Sequence, residues 1–446
     1  MELEIAQEID HSLLRSHPGF SSLPRDLVDE MRVVSAVFPF RVNNYVLNHL
    51  IDWSNRSGST ILDPLFRLTF PHREMLSESE FTAVKSALDS GDSERLTSVV
   101  IAIRHRMNPH PSGQLTSNIP ILPNSRPLAG VQHKYERTVL FFPRQGQTCH
   151  AYCNFCFRWP QFVGDPTLRM ESSEVEPLIR YLKDHSEVQD LLLTGGDPFV
   201  MQGAVLRRYI EAILHADLPN LRTIRIGTKA LTYWPYRFLS DPDASTILQT
   251  LRSIVASGRH LSIMAHFNHP KELTPAASQG AIQNLRAVGA EIRTQTPMIR
   301  GINDSAETLA TLWSEQVRLG CIPYYLFAAR DTGAHQFFGV PLAESVETYN
   351  AALRQVSGLA GTVRGPVMST YMGKILVSGI TQIKGDKVFV LRILQSRDPQ
   401  FSGRIYFAKF DPKALWISDL VPAFAEDPFD FPLLDTGGSE TVEEVA

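Results

Sequence analysis

The chain has 446 residues, 43% of them hydrophobic and 20% charged, with a formal net charge of -4 at pH 7. This composition describes a globular protein with room for a large core; it supplies neither a basic field for nucleic acid or an anionic membrane surface nor an apolar run near the roughly 18 residues of a membrane span. Four cysteines, three of them crowded between positions 149 and 156, exclude a disulfide scaffold and suit a reducing compartment, so a cytoplasmic location is expected.

Residues 1–130 read as a helical N-terminal region. The start, Met1-Glu2-Leu3-Glu4-Ile5, is acidic and lacks the basic and apolar regions of a signal peptide. Leu27, Met31, Val34 and Phe38 recur at helical spacing, and prolines gather at Asn108-Pro109-His110-Pro111 and between Pro120 and Pro127, where a chain crossing is expected.

From Thr138 the pattern changes to short apolar runs separated by helical stretches. Strands are predicted at 138–144, 190–195, 223–228, 261–267, 291–299 and 322–328, with helices at 173–185, 202–215, 244–257, 275–288 and 305–319. Strand and helix in alternation give an α/β fold, a partial (β/α)6 barrel over residues 131–345, whose chemistry should collect at the C-terminal ends of the strands. Cys149 follows the first strand, Gly195-Gly196-Asp197 ends the second and Gly227-Thr228-Lys229 the third. His266-Phe267-Asn268-His269 ends the fourth, Gln295 lies in the fifth, and Tyr324 and Tyr325 lie in the sixth. Residues 346–446 form a C-terminal α+β segment. An amphipathic stretch at 342–356 leads into it, followed by a glycine-punctuated loop at 358–373, strands at 375–383 and 387–393, and an acidic, proline-bearing surface tail from Pro422.

Cys149, Cys153 and Cys156 stand in a C-x3-C-x2-C pattern. Thiolates at that spacing let one loop wrap the corner of a four-iron, four-sulfur cube and leave the fourth iron open, because no fourth cysteine lies near. The alternatives are a zinc site short of one ligand and three unrelated buried thiols. Gly195-Gly196-Asp197, read alone, is a chain reversal.

The cysteine spacing resembles that of the radical SAM enzymes. The wider series resembles the lysine 2,3-aminomutase family over residues 40–393: Phe40-Arg41-Val42-Asn43-Asn44-Tyr45, Cys149 to Arg158, Leu193-Thr194-Gly195-Gly196-Asp197, Ile224-Arg225-Ile226-Gly227-Thr228-Lys229, His266-Phe267-Asn268-His269-Pro270, Arg300-Gly301-Ile302-Asn303-Asp304, Pro323-Tyr324-Tyr325 and Gly373-Lys374-Ile375. The resemblance implies a [4Fe-4S] cluster on Cys149, Cys153 and Cys156, S-adenosyl-L-methionine on its open iron, and pyridoxal 5'-phosphate. Lys374 matches the family's Schiff-base lysine, although Met368-Ser369-Thr370-Tyr371-Met372-Gly373 replaces the usual run of glycines. Lys134, Tyr135 and Arg137 match the segment that anchors the pyridoxal cofactor, with Lys134 where an arginine is usual. Gly195, Gly196 and Asp197 match the motif that meets the methionyl amino group, and His266 and Gln295 are further cofactor-binding candidates.

Arg158 matches the arginine that grips the substrate's α-carboxylate. The lysine enzymes use two aspartates for the distal ammonium; Asp304 matches one and Arg364 stands at the other, which puts lysine in doubt as the substrate, and a carboxylate-bearing or polar side chain, or a smaller one with Arg364 paired to Asp304, fits the charges equally well or better. The family's cysteine-rich zinc segment is absent, and Cys321 reads as a small buried residue. By resemblance the chain is expected to be a 2,3-aminomutase forming a β-amino acid from a small-molecule amino acid, lysine-like or glutamate-like, with a flavodoxin- or ferredoxin-type reductant and a homo-oligomeric state. A different radical SAM reaction on an amino acid or protein lysine, and a non-enzymatic cluster-bearing scaffold, are the competing readings.

Overall fold

The computed structural model describes residue 14 and residues 16–57, 60–108, 116–122, 126–164 and 169–424. The N-terminal peptide at 1–5, the prolines at 109–111 and the acidic tail from 425 lie outside these residues.

One eleven-stranded sheet organises the molecule, its strands hydrogen-bonded in chain order. They are β1 (Val131–Tyr135), β2 (Thr138–Phe141), β3 (Asp190–Leu193), β4 (Thr223–Thr228), β5 (His260–His266), β6 (Glu291–Met298), β7 (Ile322–Ala328), β8 (Arg364–Ser369), β9 (Gly373–Ile383), β10 (Asp386–Ser396) and β11 (Ile405–Lys409). Strands β2 to β8 run parallel; β1 and β9 to β11 are antiparallel to their neighbours. The parallel part has the alternation predicted for a partial α/β barrel, with helices Glu176–Asp184, Gly203–His215, Ala244–Ala256, Ala276–Ala287 and Ala306–Arg318 between strands.

Two expectations are corrected. The first strand ends at Phe141 and the second at Leu193, because the chain beyond them must turn to carry the cysteine and glycine loops. The stretch 358–373 is not a loop throughout: Arg364–Ser369 forms a seventh parallel strand against β7. Its glycine and proline hide a strand that β7 and β9 secure from both sides. Through it the sheet continues past residue 345, which falls inside the helix Leu342–Leu353, so the C-terminal strands extend the barrel sheet rather than standing apart from it.

Strand periodicity explains the core. In β3 and β4, Leu191, Leu193, Ile224 and Ile226 are fully buried on the outer face, where they join Leu206, Ile210, Ile247 and Leu251 of the covering helices. Each such side chain contributes about 1.5–3 kcal/mol by leaving water. The alternate residues Asp190, Leu192 and Arg225 face inward and line a cavity. The N-terminal region is helical, as predicted, with Arg25–Val37, Pro64–Thr69, Glu78–Ser90 and Ser93–Met107. The helix Glu78–Ser90 starts at a Ser77/Glu80 capping box and stops at Gly91 with φ of 69°. Among the described residues no helix is long and apolar enough to cross a membrane.

Gly373 of β9 lies against the β10 backbone: a Cβ there would lie 1.9 Å from the Gln395 carbonyl oxygen. Gly373→Ala must part the two strands and should destabilise the protein by about 1–3 kcal/mol, the usual cost of overpacking. A thermal melt with an unchanged midpoint would show that the two strands separate without cost.

Candidate active site

The cysteine loop beyond β2 closes a few short turns of its own, Cys156 N–H donating to the Cys153 carbonyl and Trp159 N–H to that of Cys156 at 3.0 Å each, and its other peptide groups need partners from elsewhere. The N-terminal region supplies them. Tyr152 and Asn154 N–H groups donate to the carbonyls of Arg41 and Leu68 at 2.9 Å each. Arg41 donates to Thr148 Oγ1 at 2.6 Å and to the Cys149 carbonyl at 3.1 Å, while the Asn43 amide spans the His150 and Tyr233 carbonyls at 3.2 and 2.9 Å. Asn154 in turn donates to the Phe70 carbonyl.

Cys149, Cys153 and Cys156 are free and half-buried. Burial pushes all three thiols up, Cys153 to about 12. Their deprotonation therefore calls for a positive centre to replace the protons. Among the described residues no three His, Cys, Asp or Glu side chains converge as a single ion requires.

Gly195-Gly196-Asp197 packs directly on this loop. The Gly196 and Asp197 N–H groups donate to the Gly146 and Thr148 carbonyls at 3.1 and 2.7 Å, and a Cβ on Gly196 would lie 2.3 Å from the Thr148 oxygen. The N–H edge of the motif is thus already used, which leaves its carbonyl edge. The Asp197 carboxylate is fully engaged: it accepts from Phe199 N, Thr228 Oγ1 and Lys229 N at 2.8–3.0 Å, so its side chain braces the end of β4. Burial holds its pKa above the usual carboxylate range. The His266 ring is kept neutral by burial and by the Lys229 ammonium; its Nε2 is buried without a hydrogen-bond partner.

The inward faces of the strands enclose a cavity of about 250 Å³. Lys374 projects into it from β9, its Nζ bonded to Gln395 Oε1 at 2.9 Å and lying 4.9 and 5.3 Å from the Tyr135 and Tyr325 ring centres. Burial, then the Arg225 and Arg364 guanidiniums, bring Lys374 down to about 7. Lys134 reaches the Thr370 carbonyl across the sheet opening. Gln295 lines the same cavity. Arg158 lies 4.6 Å from the Phe142 ring centre and 5.0 Å from that of Phe157. Its Nη1 is buried without a partner, and burial lowers it to about 10 while Cys156 and Cys149 pull the other way. Arg158 thus lines the cavity and is electrostatically coupled to the thiols at once.

Three sequence expectations are not brought together here. Arg137 is exposed on the β1–β2 turn, outside the cavity wall, because the tight turn points it to solvent. Asp304 pairs with Arg300 at 3.2 Å, and Arg300 is held bidentately by Glu344 at 2.6 and 2.8 Å. Arg364 is exposed at the start of β8, stacked 4.8 and 4.6 Å over Tyr324 and Tyr325. Asp304 and Arg364 therefore neither pair nor line the cavity.

Sequence reasoning missed Arg225, Asp190 and Arg330, which do line it. Arg225 meets Asp190 through two of its nitrogens, Nε at 2.8 Å and Nη2 at 2.7 Å. Its signal was present: a cation between Ile224 and Ile226 can only face inward. Arg330 stacks 4.9 Å from the Phe157 ring centre, and its position just past β7 carried no such signal.

No family model matches the chain. It is 32% identical over 404 residues to a protein of Aquifex aeolicus named "Putative L-lysine 2,3-aminomutase", covering 91% of this chain and 93% of that one. It is 28% identical over 246 residues to the L-lysine 2,3-aminomutase of Fusobacterium nucleatum, covering 55% of this chain and 53% of the other. Among solved structures, the Streptococcus suis protein SuiB bound to its precursor peptide aligns with a TM-score of 0.32 and 14% identity, covering 60% of this chain and 56% of that one, too distant to carry an argument.

A lysine lowered to about 7 is largely a neutral nucleophile in mildly alkaline solution. Acylation of Lys374 by a small anhydride, followed by peptide mapping, should accelerate through a midpoint at about pH 7 and level off above it. An ordinary lysine, at about 10.4, would keep accelerating. Arg225→Met should move the midpoint upward, since a nearby cation is lost; a wild-type midpoint above pH 9 would overturn the assignment.

Proposed function

This chain belongs to the lysine 2,3-aminomutase family of radical SAM enzymes, and from that premise we propose that it is a pyridoxal-phosphate-dependent 2,3-aminomutase acting on a dicarboxylic amino acid. The observation that carries the reading is the position of Arg158, which shares a cavity wall with Lys374 and lies in the field of Cys156 and Cys149. A radical centre and an amine-binding centre can therefore serve one substrate.

The residues fit the cofactors that the family uses. Three thiols awaiting positive charge suit a [4Fe-4S] cluster on Cys149, Cys153 and Cys156. The carbonyl edge of Gly195 and Gly196 suits the ammonium of S-adenosyl-L-methionine, while His266 at the end of β5 and Gln295 in the cavity wall are further candidates for the cofactors. Lys374, nucleophilic near neutral pH between two tyrosine rings, suits the pyridoxal aldehyde, while Lys134 and Arg225 offer donors for its phosphate. Bound together, these groups supply a hydrogen-abstracting radical and a π-system across which nitrogen can pass between adjacent carbons.

The protein's own part is placement. Arg158, desolvated and with Nη1 unpaired, grips the α-carboxylate and so sets which carbon faces the cysteine loop. The cavity walls keep water from the reacting centre. A low-potential donor of the flavodoxin or ferredoxin class is the proposed source of electrons, and the free thiols favour a reducing, cytoplasmic setting.

Cavity charge supports the dicarboxylic substrate. Lys134, Arg158, Arg225, Arg330 and Lys374 line the wall, and the acid among them, Asp190, is held by Arg225. With Lys134 and Arg225 given to the phosphate, Lys374 to the aldehyde and Arg158 to the α-carboxylate, an incoming ε-ammonium would meet the Arg330 cation and no free carboxylate among the described lining residues; like charges at 4 Å cost about 4 kcal/mol at an effective dielectric of 20. Arg158 and Arg330 flank the same Phe157 ring at 5.0 and 4.9 Å from its centre, so their guanidinium carbons are less than roughly 10 Å apart. Within that upper limit one substrate with a carboxylate at each end can meet both guanidiniums, each through a bidentate contact about 3 Å long.

Anaerobically reconstituted protein should bind about four irons, and Ala at Cys149, Cys153 or Cys156 should abolish cleavage of S-adenosylmethionine to deoxyadenosine. Normal deoxyadenosine production by all three variants would remove the cluster from the reading. For specificity, kcat/KM should favour glutamate or aspartate over lysine, and Arg330→Ala should lower it for the acidic substrate by more than about tenfold. A wild-type preference for lysine that Arg330→Ala leaves untouched would overturn the dicarboxylic assignment while sparing the aminomutase reading.

A further inference from the structure

The Tyr233 hydroxyl lies 3.0 Å from Cys153 Sγ. Tyr233 is 1% exposed, and nothing in the proposed chemistry uses it. Between a phenol and a free thiol either atom can donate, but a thiolate bound to iron carries no proton. Tyr233 is then the donor, and the bond becomes charge-assisted.

The surroundings hold the phenol in that role. The Tyr233 carbonyl accepts from Asn43, whose amide also bonds the cysteine loop at His150, so ring and loop share one anchor. The Lys229 ammonium lies 4.8 Å from the Tyr233 ring centre and is fixed there by Glu272 at 3.0 Å and Asn268 at 2.9 Å, all in the buried interior. A cation over the ring draws electron density from it and strengthens the O–H as a donor. Glu272 is itself held by Thr232 and by the Asn268 N–H.

We infer that Tyr233 is a positioning and tuning residue for the cluster: its hydroxyl donates to the Cys153 thiolate, drains charge from the sulfur and raises the reduction potential of the iron it binds. A hydrogen bond to a ligating sulfur stabilises the extra electron of the reduced cluster more than it stabilises the oxidised form. In an enzyme whose first step is a one-electron reduction, this makes that step less uphill. The inference rests on the cluster reading above, and iron uptake by the wild type tests that reading separately.

The experiment is a redox titration of reconstituted wild type and Tyr233→Phe, followed by the electron paramagnetic resonance of the reduced cluster, with iron counted and fold checked by circular dichroism. Phe keeps the ring and removes only the donor. The expected result is equal iron content, a native spectrum and a midpoint potential shifted to more negative values. Lys229→Gln should shift it in the same direction by less. An unchanged potential in iron-replete Tyr233→Phe would make the tyrosine a packing residue. Folded Tyr233→Phe that fails to take up iron would also overturn the proposal, because the hydroxyl would then build the site rather than tune it. If the wild type takes up no iron, the cluster reading itself has failed.

Discussion

A coil loop has to present three thiols at fixed positions, and its own backbone contributes short turns, such as Cys156 N–H to the Cys153 carbonyl at 3.0 Å, that do not tie it to the rest of the molecule. That constraint explains much of the architecture. The loop's N–H and C=O groups are bonded by Arg41, Asn43 and Leu68 from the N-terminal region and by Gly196 and Asp197 from the neighbouring strand end. The N-terminal region, which on sequence alone reads only as helical, therefore forms part of the wall of the cysteine site. The glycines belong to the same logic, since a side chain at 196 would occupy the space of the Thr148 carbonyl. A site of this kind is only as well defined as the groups that support it.

The barrel meets a second demand: it must keep charges in a dry interior without neutralising them all. Arg225 and Asp190 compensate one another by a bidentate contact, the arrangement under which a buried pair is tolerable. Lys374 answers differently, by giving up its proton near neutral pH. Arg158 remains charged, with two aromatic faces as partial substitutes for water and one nitrogen unpaired. A group left costly in this way is one that an anionic ligand relieves. The two tyrosines beside Lys374 come from β1 and β7, so the cavity is complete only when the antiparallel strands have closed on the parallel ones.

Specificity shows where reasoning along the chain misled. Arg364 raised a doubt about lysine as substrate, yet it stacks outside the cavity on Tyr324 and Tyr325, and Asp304 belongs to an ion-pair cluster with Arg300 and Glu344. The excess of positive charge that the doubt required is present all the same, supplied by Arg158 and Arg330 around Phe157.

By itself the sequence determined what local chemistry can encode. The cysteine spacing is a property of one loop, the alternation of apolar runs and amphipathic helices marks each strand and helix where it forms, and Lys374 stands out through the residues beside it. The tertiary structure decided everything that depends on which way a side chain points from a strand whose pairing is not local. Arg364–Ser369 becomes a strand because β7 and β9 flank it. Arg225 enters the cavity because Ile224 and Ile226 must face the helices, and Arg137 leaves it because a tight turn carries it to solvent. Arg330 comes to Phe157, and Tyr233 to Cys153, across separations of 173 and 80 residues that no spacing pattern records. Register and handedness of the sheet fix those meetings, because a shift of one residue in a strand exchanges its inward and outward faces.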